Sequence, residues 1–209
     1  MTEKILVKPE GCYACSVRCK RVVKTNGKYK VNPALGGPEY ETIASLGSCL
    51  CIDNLEAIAK GNELCNSYGL DTISTGAVIA FAMECFEEGI LTKEDTDGIE
   101  LRFGNAEAML EIIERIAHRK GIGDILAEGV MRAAKKIGKG AERFALHVKG
   151  QEVPMHDPRG KIGVGIGYAI SPTGADHIEA THDTAFTTEK GSAFRAAKVL
   201  GLVEPLDAR

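Results

Sequence analysis

The sequence has no tryptophan, and aromatic residues make up only 5% of its 209 positions. Its core must therefore be aliphatic, built from Ile, Leu, Val, Ala and Met, and platforms that stack single-stranded nucleic acid on aromatic rings are disfavoured. No apolar run approaches the roughly 20 residues that a membrane-spanning helix needs. The opening Met1-Thr2-Glu3-Lys4-Ile5 carries no signal-peptide h-region, so a cytoplasmic protein without a membrane partner is the expectation. Basic residues are not concentrated as a nucleic-acid surface requires, because the net charge of -3 is spread along the chain. The one basic cluster, Arg18 to Lys24, reads as a solvated face, with an acidic partner or cofactor as the alternative.

Cysteine, by contrast, is plentiful. Seven cysteines without a secretion signal point to metal or redox chemistry rather than disulfides. Cys12, Cys15 and Cys19 form C-x2-C-x3-C, and three soft thiolates in so short a span can wrap one corner of an iron–sulfur cluster. A cubane needs a fourth ligand, normally a distant cysteine. The order is opposite to the C-x3-C-x2-C of radical enzymes that use S-adenosylmethionine. Structural zinc would want a second ligand pair, and Cys49-Leu50-Cys51 is too close-set to be a standard one. Spacing alone leaves three readings open: a cluster, zinc, or a fortuitous cysteine turn. Cys49, Cys51, Cys65 and Cys85 are expected to be small buried hydrophobes.

Along the chain, Val22 to Thr25, Asn26-Gly27 and Lys28 to Val31 read as a hairpin with a type I′ turn. Pro33, Gly36, Gly37 and Pro38 then break the chain. Asp53 and Glu56 suggest a capping box opening a helix with Leu55, Ile58, Ala59 and Cys65 on its apolar stripe. A second helix, from about Ser74 to Glu88, is apolar nearly all round and should be central. Asn105 opens a third, with Met109, Ile112, Ile113, Ile116 and Ala117 in register and Gly121 as its stop. A fourth is expected from about Asp124 to Ile137, a β-like piece over Phe144 to Val148, a glycine-rich stretch over Gly160 to Gly174, and a last helix near Ser192 to Leu200. The fold class is mainly α and multihelical: two helical subdomains with a small N-terminal β-hairpin. Residues 1–150 form the domain with the cysteine cluster, and 151–209 the start of a second. The ending Glu204 to Arg209 supplies no terminal helix or cap, so the chain is expected to be part of a longer protein.

Gly163-x-Gly165-x-Gly167 is a weak nucleotide-binding signal without a preceding strand or a Walker lysine, and close helix packing explains it more simply. His118, His147, His156 and His182 are read as structural.

Several motifs, in order, resemble the tungsten-containing aldehyde ferredoxin oxidoreductase family. They are the cysteine cluster, Gly37-Pro38-Glu39-Tyr40-Glu41-Thr42, Asn66 to Ser74, Gly121 to Gly129, Asp157-Pro158-Arg159-Gly160, and Gly174-Ala175-Asp176-His177. The resemblance implies tungsten (or molybdenum) held by two pterin dithiolenes, a [4Fe-4S] cluster beside one pterin, and oxidation of small-molecule aldehydes to carboxylic acids. Electrons pass to ferredoxin or a ferredoxin-like subunit, and a homodimer is compatible. By the same resemblance Cys12, Cys15 and Cys19 are cluster ligands, and Asn66, Gly69, Leu70 and Asp71 are a pterin motif whose leading Asp is replaced by Asn. Glu39 or Glu41 and His177 are the acid and base groups. Without the family, Asn66 to Asp71 reads as a helix C-cap and turn with Gly69 in the left-handed conformation. Lys60 and Glu63 replace an E-x-x-H that binds interface iron in some members, and Glu179 stands where a pterin-contacting Lys can occur. The alternatives are a tungsten subunit of the benzoyl-CoA reductase type and a small cysteine-based metal-binding or electron-transfer module. The isolated chain, purified in air, is expected to hold neither tungsten nor an intact cluster and not to oxidise aldehydes.

Overall fold

The computed structural model describes residues 3–179, 182–185 and 197–201. It divides into two compact units, Met1–Leu146 and His147–Arg209. Its secondary structure is mainly helical, with only two small antiparallel strand pairs among the described residues. Among the described residues, no single helix is long and apolar enough to cross a membrane.

The first unit opens with strand β1 (Leu6–Glu10), antiparallel to β2 (Lys20–Val23). The residues between them carry the three cysteines. This pairing replaces the expected hairpin over 22–31. A type I′ turn needs positive φ at both central residues, and neither Asn26 nor Gly27 adopts it. Side chains tie that segment instead. Thr25 Oγ1 donates to the Tyr29 carbonyl and accepts from Val31 N, and Gly27 N donates to Glu56. Val23 and Ile5 bury against Ala59, which seats the ribbon on the helices.

Helix α1 (Tyr40–Leu46) leads through a 3₁₀ turn at Ser48–Leu50 to α2 (Leu55–Tyr68). Asn54, not Asp53, caps α2: its side chain accepts from Glu56 N and Ala57 N. Glu56 turns its carboxylate to Gly27, so no capping box forms. Helix α3 (Thr72–Glu87) starts on an Asp71 cap and buries Val78, Ile79, Phe81, Ala82 and Met83. It lies against α1 so closely that a Cβ on Gly76 would stand 2.6 Å from Ser45 Cβ. Helix α4 (Ala106–His118), capped by Asn105, buries Met109, Ile112, Ile113 and Ile116 as its periodicity predicts. With Leu46, Ile79 and Met83 these residues make one aliphatic core; each large side chain so buried contributes about 1.5–3 kcal/mol.

The expected fourth helix is two, α5 (Ile122–Leu126) and α6 (Val130–Ile137). Gly129 separates them at φ 81°, a backbone state outside any right-handed helix. Helix α4 ends on Arg119 in the left-handed conformation, and Gly121 precedes α5 rather than stopping α4.

In the second unit, the expected strand over 144–148 shrinks to β3 (His147–Val148), paired with β4 (Gln151–Glu152). Phe144 instead ends a 3₁₀ turn, Ala141–Phe144. Lys149 and Gly150 between the strands both have positive φ, so the hairpin turn with two left-handed residues is here. The glycine-rich stretch forms helix α7 (Ile162–Ile170), whose Val164 and Tyr168 pack with Ala175. Its glycines permit close approach: a Cβ at Gly165 would meet Pro158 Cβ at 2.9 Å. The helix expected near 192–200 lies outside the described residues except for 197–200.

Candidate functional site

Cys12, Cys15 and Cys19 are exposed on the β1–β2 connection. The connection turns tightly, with a Cys15 N to Cys12 O bond of 3.1 Å and left-handed residues at Ala14 and Arg18. Cys65 and Cys85 are buried, and burial pushes their thiols up to about 12 and about 11, which makes them inert packing groups. Cys49 and Cys51 differ from expectation. Leu50 takes the buried position in their 3₁₀ turn and leaves both flanking thiols exposed.

The stem of the cysteine connection and the Asn66–Asp71 turn share one cavity of about 530 Å³ in the first unit. Glu10 and Lys20, at the two ends of the connection, line it together with Arg21, Glu39, Asn66, Leu70 and Asp71. The turn's shape follows from its sequence. Gly69 caps α2 at φ 68° ψ 32°, and its N–H and that of Leu70 both close on the Cys65 carbonyl. Asp71 then accepts from Ser74 N at 2.7 Å to start α3. The end of α2 and the start of α3 are thus both closed by hydrogen bonds within the Asn66–Asp71 turn.

Opposite the turn, Gly37 N donates to the Arg21 carbonyl at 2.7 Å, and a Cβ on Gly37 would strike Val23 Cγ1 at 2.4 Å. The segment 36–39 is thereby pressed against β2. Arg21 Nη1 donates to Cys19 O at 3.0 Å and to Glu39 Oε2 at 2.9 Å. One guanidinium therefore links the third cysteine to the carboxylate at the head of α1. Glu41, in the first turn of α1, is half-buried. Lys60 and Glu63, at the E-x-x-H positions, pair with each other, and Glu63 also accepts from Asn32 N.

His177 lies in the second unit, in a group that composition did not single out. Its ring is 5.3 Å from that of His156 and 6.1 Å from that of His182, and the last two stand 4.3 Å apart. Lys161 Nζ lies 3.1 Å from His156 Nδ1 and 3.3 Å from His182 Nδ1. Burial, then Lys161 and the two neighbouring imidazoles, lowers His156 to about 4. Sequence position alone reads His156 and His182 as structural, and their place beside the Asp157–Gly160 and Gly174–His177 motifs is the signal that points to them. Glu179 accepts from Ser171 and Thr173 hydroxyls.

Residues 1–205 match the family model described as aldehyde ferredoxin oxidoreductase, domains 2 and 3. The chain belongs to the aldehyde ferredoxin oxidoreductase family. It is 45% identical over 183 residues to the tungsten-containing aldehyde ferredoxin oxidoreductase of Thermococcus kodakarensis, covering 86% of this chain and 29% of that protein. It is 38% identical over 197 residues to the aliphatic sulfonate oxidoreductase, WOR-like subunit, of Pyrococcus furiosus, covering 90% of this chain and 31% of that one. The chain thus spans less than a third of the length of the curated relatives it matches. A solved structure, the active-site complex BamBC of benzoyl coenzyme A reductase with 1,5-dienoyl-CoA, is similar at TM-score 0.65 and 28% identity, over 81% of this chain and 25% of that chain.

Proposed function

We propose that this member of the family is part of a tungsten-pterin oxidoreductase. In this reading it oxidises aldehydes to carboxylic acids and passes the electrons through a [4Fe-4S] cluster to ferredoxin or a ferredoxin-like subunit. The observation that carries the reading is the shared cavity of the cysteine stem and the Asn66–Asp71 turn. The residues present fit the groups. Three exposed thiols on one tight connection suit an iron–sulfur cluster. The amides of Asn62 and Asn66 and the carboxylate of Asp71 offer the mixed donors and acceptors that a pterin ring requires.

Cys12, Cys15 and Cys19 would hold the cluster, and Asn66, Gly69, Leu70 and Asp71 would hold one pterin. The tungsten-pterin centre supplies the acceptor for two electrons. Conversion of an aldehyde and water to a carboxylic acid also releases two protons, and the chain's part is to receive them. Glu39 or Glu41, and the imidazole of His177, are the proton-handling groups in this reading. Glu39 is already oriented by Arg21.

The likeness to the benzoyl coenzyme A reductase complex supports a second reading, a tungsten subunit that reduces an aromatic thioester. Three thiols without a cluster would also serve a small metal-binding module.

Anaerobic reconstitution of the chain with iron and sulfide tests the cluster. A cubane spectrum that is lost in Cys12→Ser, Cys15→Ser and Cys19→Ser supports it, and exclusive zinc uptake overturns it. In the complete oxidoreductase, aldehyde-dependent viologen reduction should fall by about 10²–10⁴-fold in His177→Asn, the range of general acid–base catalysis. Turnover of aromatic CoA thioesters but not aldehydes would assign the second reading.

A further inference from the structure

Lys161 stands at the entrance of α7, where its carbonyl accepts from Gly165 N at 3.0 Å, but its side chain makes no capping bond to the helix. Its half-buried ammonium turns to two imidazoles, His156 Nδ1 at 3.1 Å and His182 Nδ1 at 3.3 Å. An ammonium has donors and no acceptor, so both ring nitrogens must present lone pairs. Each ring, if neutral, then carries its proton on Nε2. For His182 that is the proton the structure uses elsewhere: His182 Nε2 lies 2.9 Å from the main-chain carbonyl of His177 and must donate to it. These three contacts admit one protonation pattern.

The surrounding fold fixes the parts. Tyr168, buried on α7, donates its hydroxyl to the His156 carbonyl at 3.2 Å. Asp183, next to His182, accepts from Gly163 N at 2.7 Å and Val164 N at 3.0 Å at the start of the same helix. Both imidazoles that face Lys161 are therefore tied to α7.

We propose that Lys161 is a positioning residue for His177: it holds His156 and His182 as neutral Nε2–H tautomers, and the His182 proton so placed holds the His177 backbone. The inference rests on His177 being a proton-handling group, and it adds a residue that the family motifs quoted above do not include. The low value of about 4 for His156, caused first by burial and then by Lys161, agrees with a ring kept neutral.

The test is the tautomeric state of the rings in the whole chain, read from two-bond ¹H–¹⁵N correlations at neutral pH. The chain has five histidines, so signals are assigned by loss in His156→Gln and His182→Gln. His147 is an internal control, because its Nδ1 accepts from Gly150 N at 3.2 Å and owes nothing to Lys161. The wild type should show Nε2–H for both His156 and His182. In Lys161→Met both should leave that pure state for mixed tautomers or the imidazolium, with His147 unchanged as proof of folding. A wild-type Nδ1–H on either ring overturns the proposal, as does a Lys161→Met spectrum identical to wild type. Neither outcome depends on cofactor or turnover. Failure of the His177 reading shows separately, as a His177→Asn oxidoreductase with undiminished activity.

Discussion

The side-chain amide of Asn66 donates to the main-chain carbonyl of Leu35 at 2.8 Å, joining the end of α2 to the 3₁₀ turn Pro33–Leu35. The motif position that Asn66 fills can hold an aspartate, yet a carboxylate only accepts and would face the Leu35 oxygen with no proton between them. Asn66→Asp should therefore cost about 1 kcal/mol at neutral pH, the net value of one hydrogen bond. That lowers the unfolding midpoint by roughly 2–4 °C in a chain of this size. The deficit should shrink once the carboxyl is protonated, below about pH 4. A variant as stable as wild type at pH 7 would show that the Leu35 contact does not shape this turn.

Gly76 and Gly69 make different demands. At Gly76 a Cβ would lie 2.6 Å from Ser45 Cβ and 2.7 Å from the Ser45 carbonyl carbon, a backbone atom that cannot swing away. Gly76→Ala must part α1 from α3 and should cost about 1–3 kcal/mol, the usual range for overpacking. At Gly69 nothing lies within 4 Å of a Cβ, but φ is 68°. Gly69→Ala should lose only the left-handed preference, about 1–2 kcal/mol, without moving the helices. Urea unfolding gives the costs, and the near-ultraviolet spectrum reports packing. A packing change in Gly69→Ala but not in Gly76→Ala would reverse the assignment.

What the sequence made legible, and what it hid, separates by range of interaction. Helices α2, α3 and α4 were readable because the apolar spacing of each lies within one segment. The Gly69 turn was readable because αL after a helix is glycine's commonest use. The partner of β2 was not, because β1 lies upstream across the cysteine connection, and the nearer Asn26-Gly27 signal competes with it. Asn54 displaced Asp53 as a cap although both types cap well. The cavity joins residues from 10 to 72, so only the family motifs suggested it. Lys161 was invisible: a lysine gains meaning there only when the fold turns two imidazoles, five and 21 residues away, to face it.

The His156 shift carries a pH dependence of stability. Its value falls from 6.5 to about 4 in the fold, so the native state binds its proton more weakly than the unfolded chain does. The sign follows by linkage: the contribution is complete above pH 6.5 and is lost as pH falls from there through about 4. His177, His182 and Lys161 face the ring and share the burial. The unfolding midpoint should decline over that window in wild type and decline less in His156→Gln. Parallel curves for the two proteins would remove His156 as the source.

Arg21 gives the last prediction, because one of its nitrogens spans the cysteine connection and the head of α1. Nη1 reaches Cys19 O at 3.0 Å and Glu39 Oε2 at 2.9 Å, with 39% of the Arg21 side chain and 48% of the Glu39 side chain exposed. Exposure limits the strength: such a pair is worth about 0–1 kcal/mol. Arg21→Gln should therefore leave the fold intact, since the Gly37 N to Arg21 O bond is a main-chain contact and survives. What changes is the anchoring of Cys19. In anaerobically reconstituted chain, a chelator should strip iron from Arg21→Gln up to about five-fold faster than from wild type, the factor that 1 kcal/mol allows. Arg18→Gln removes an equal charge from the connection itself and leaves the Cys19–Glu39 bridge in place. It should strip at the wild-type rate if the bridge, rather than the local positive field, steadies the cysteines. Equal acceleration in both variants would assign the effect to charge, and no acceleration in either would mean that Arg21 does not hold Cys19 in the loaded state.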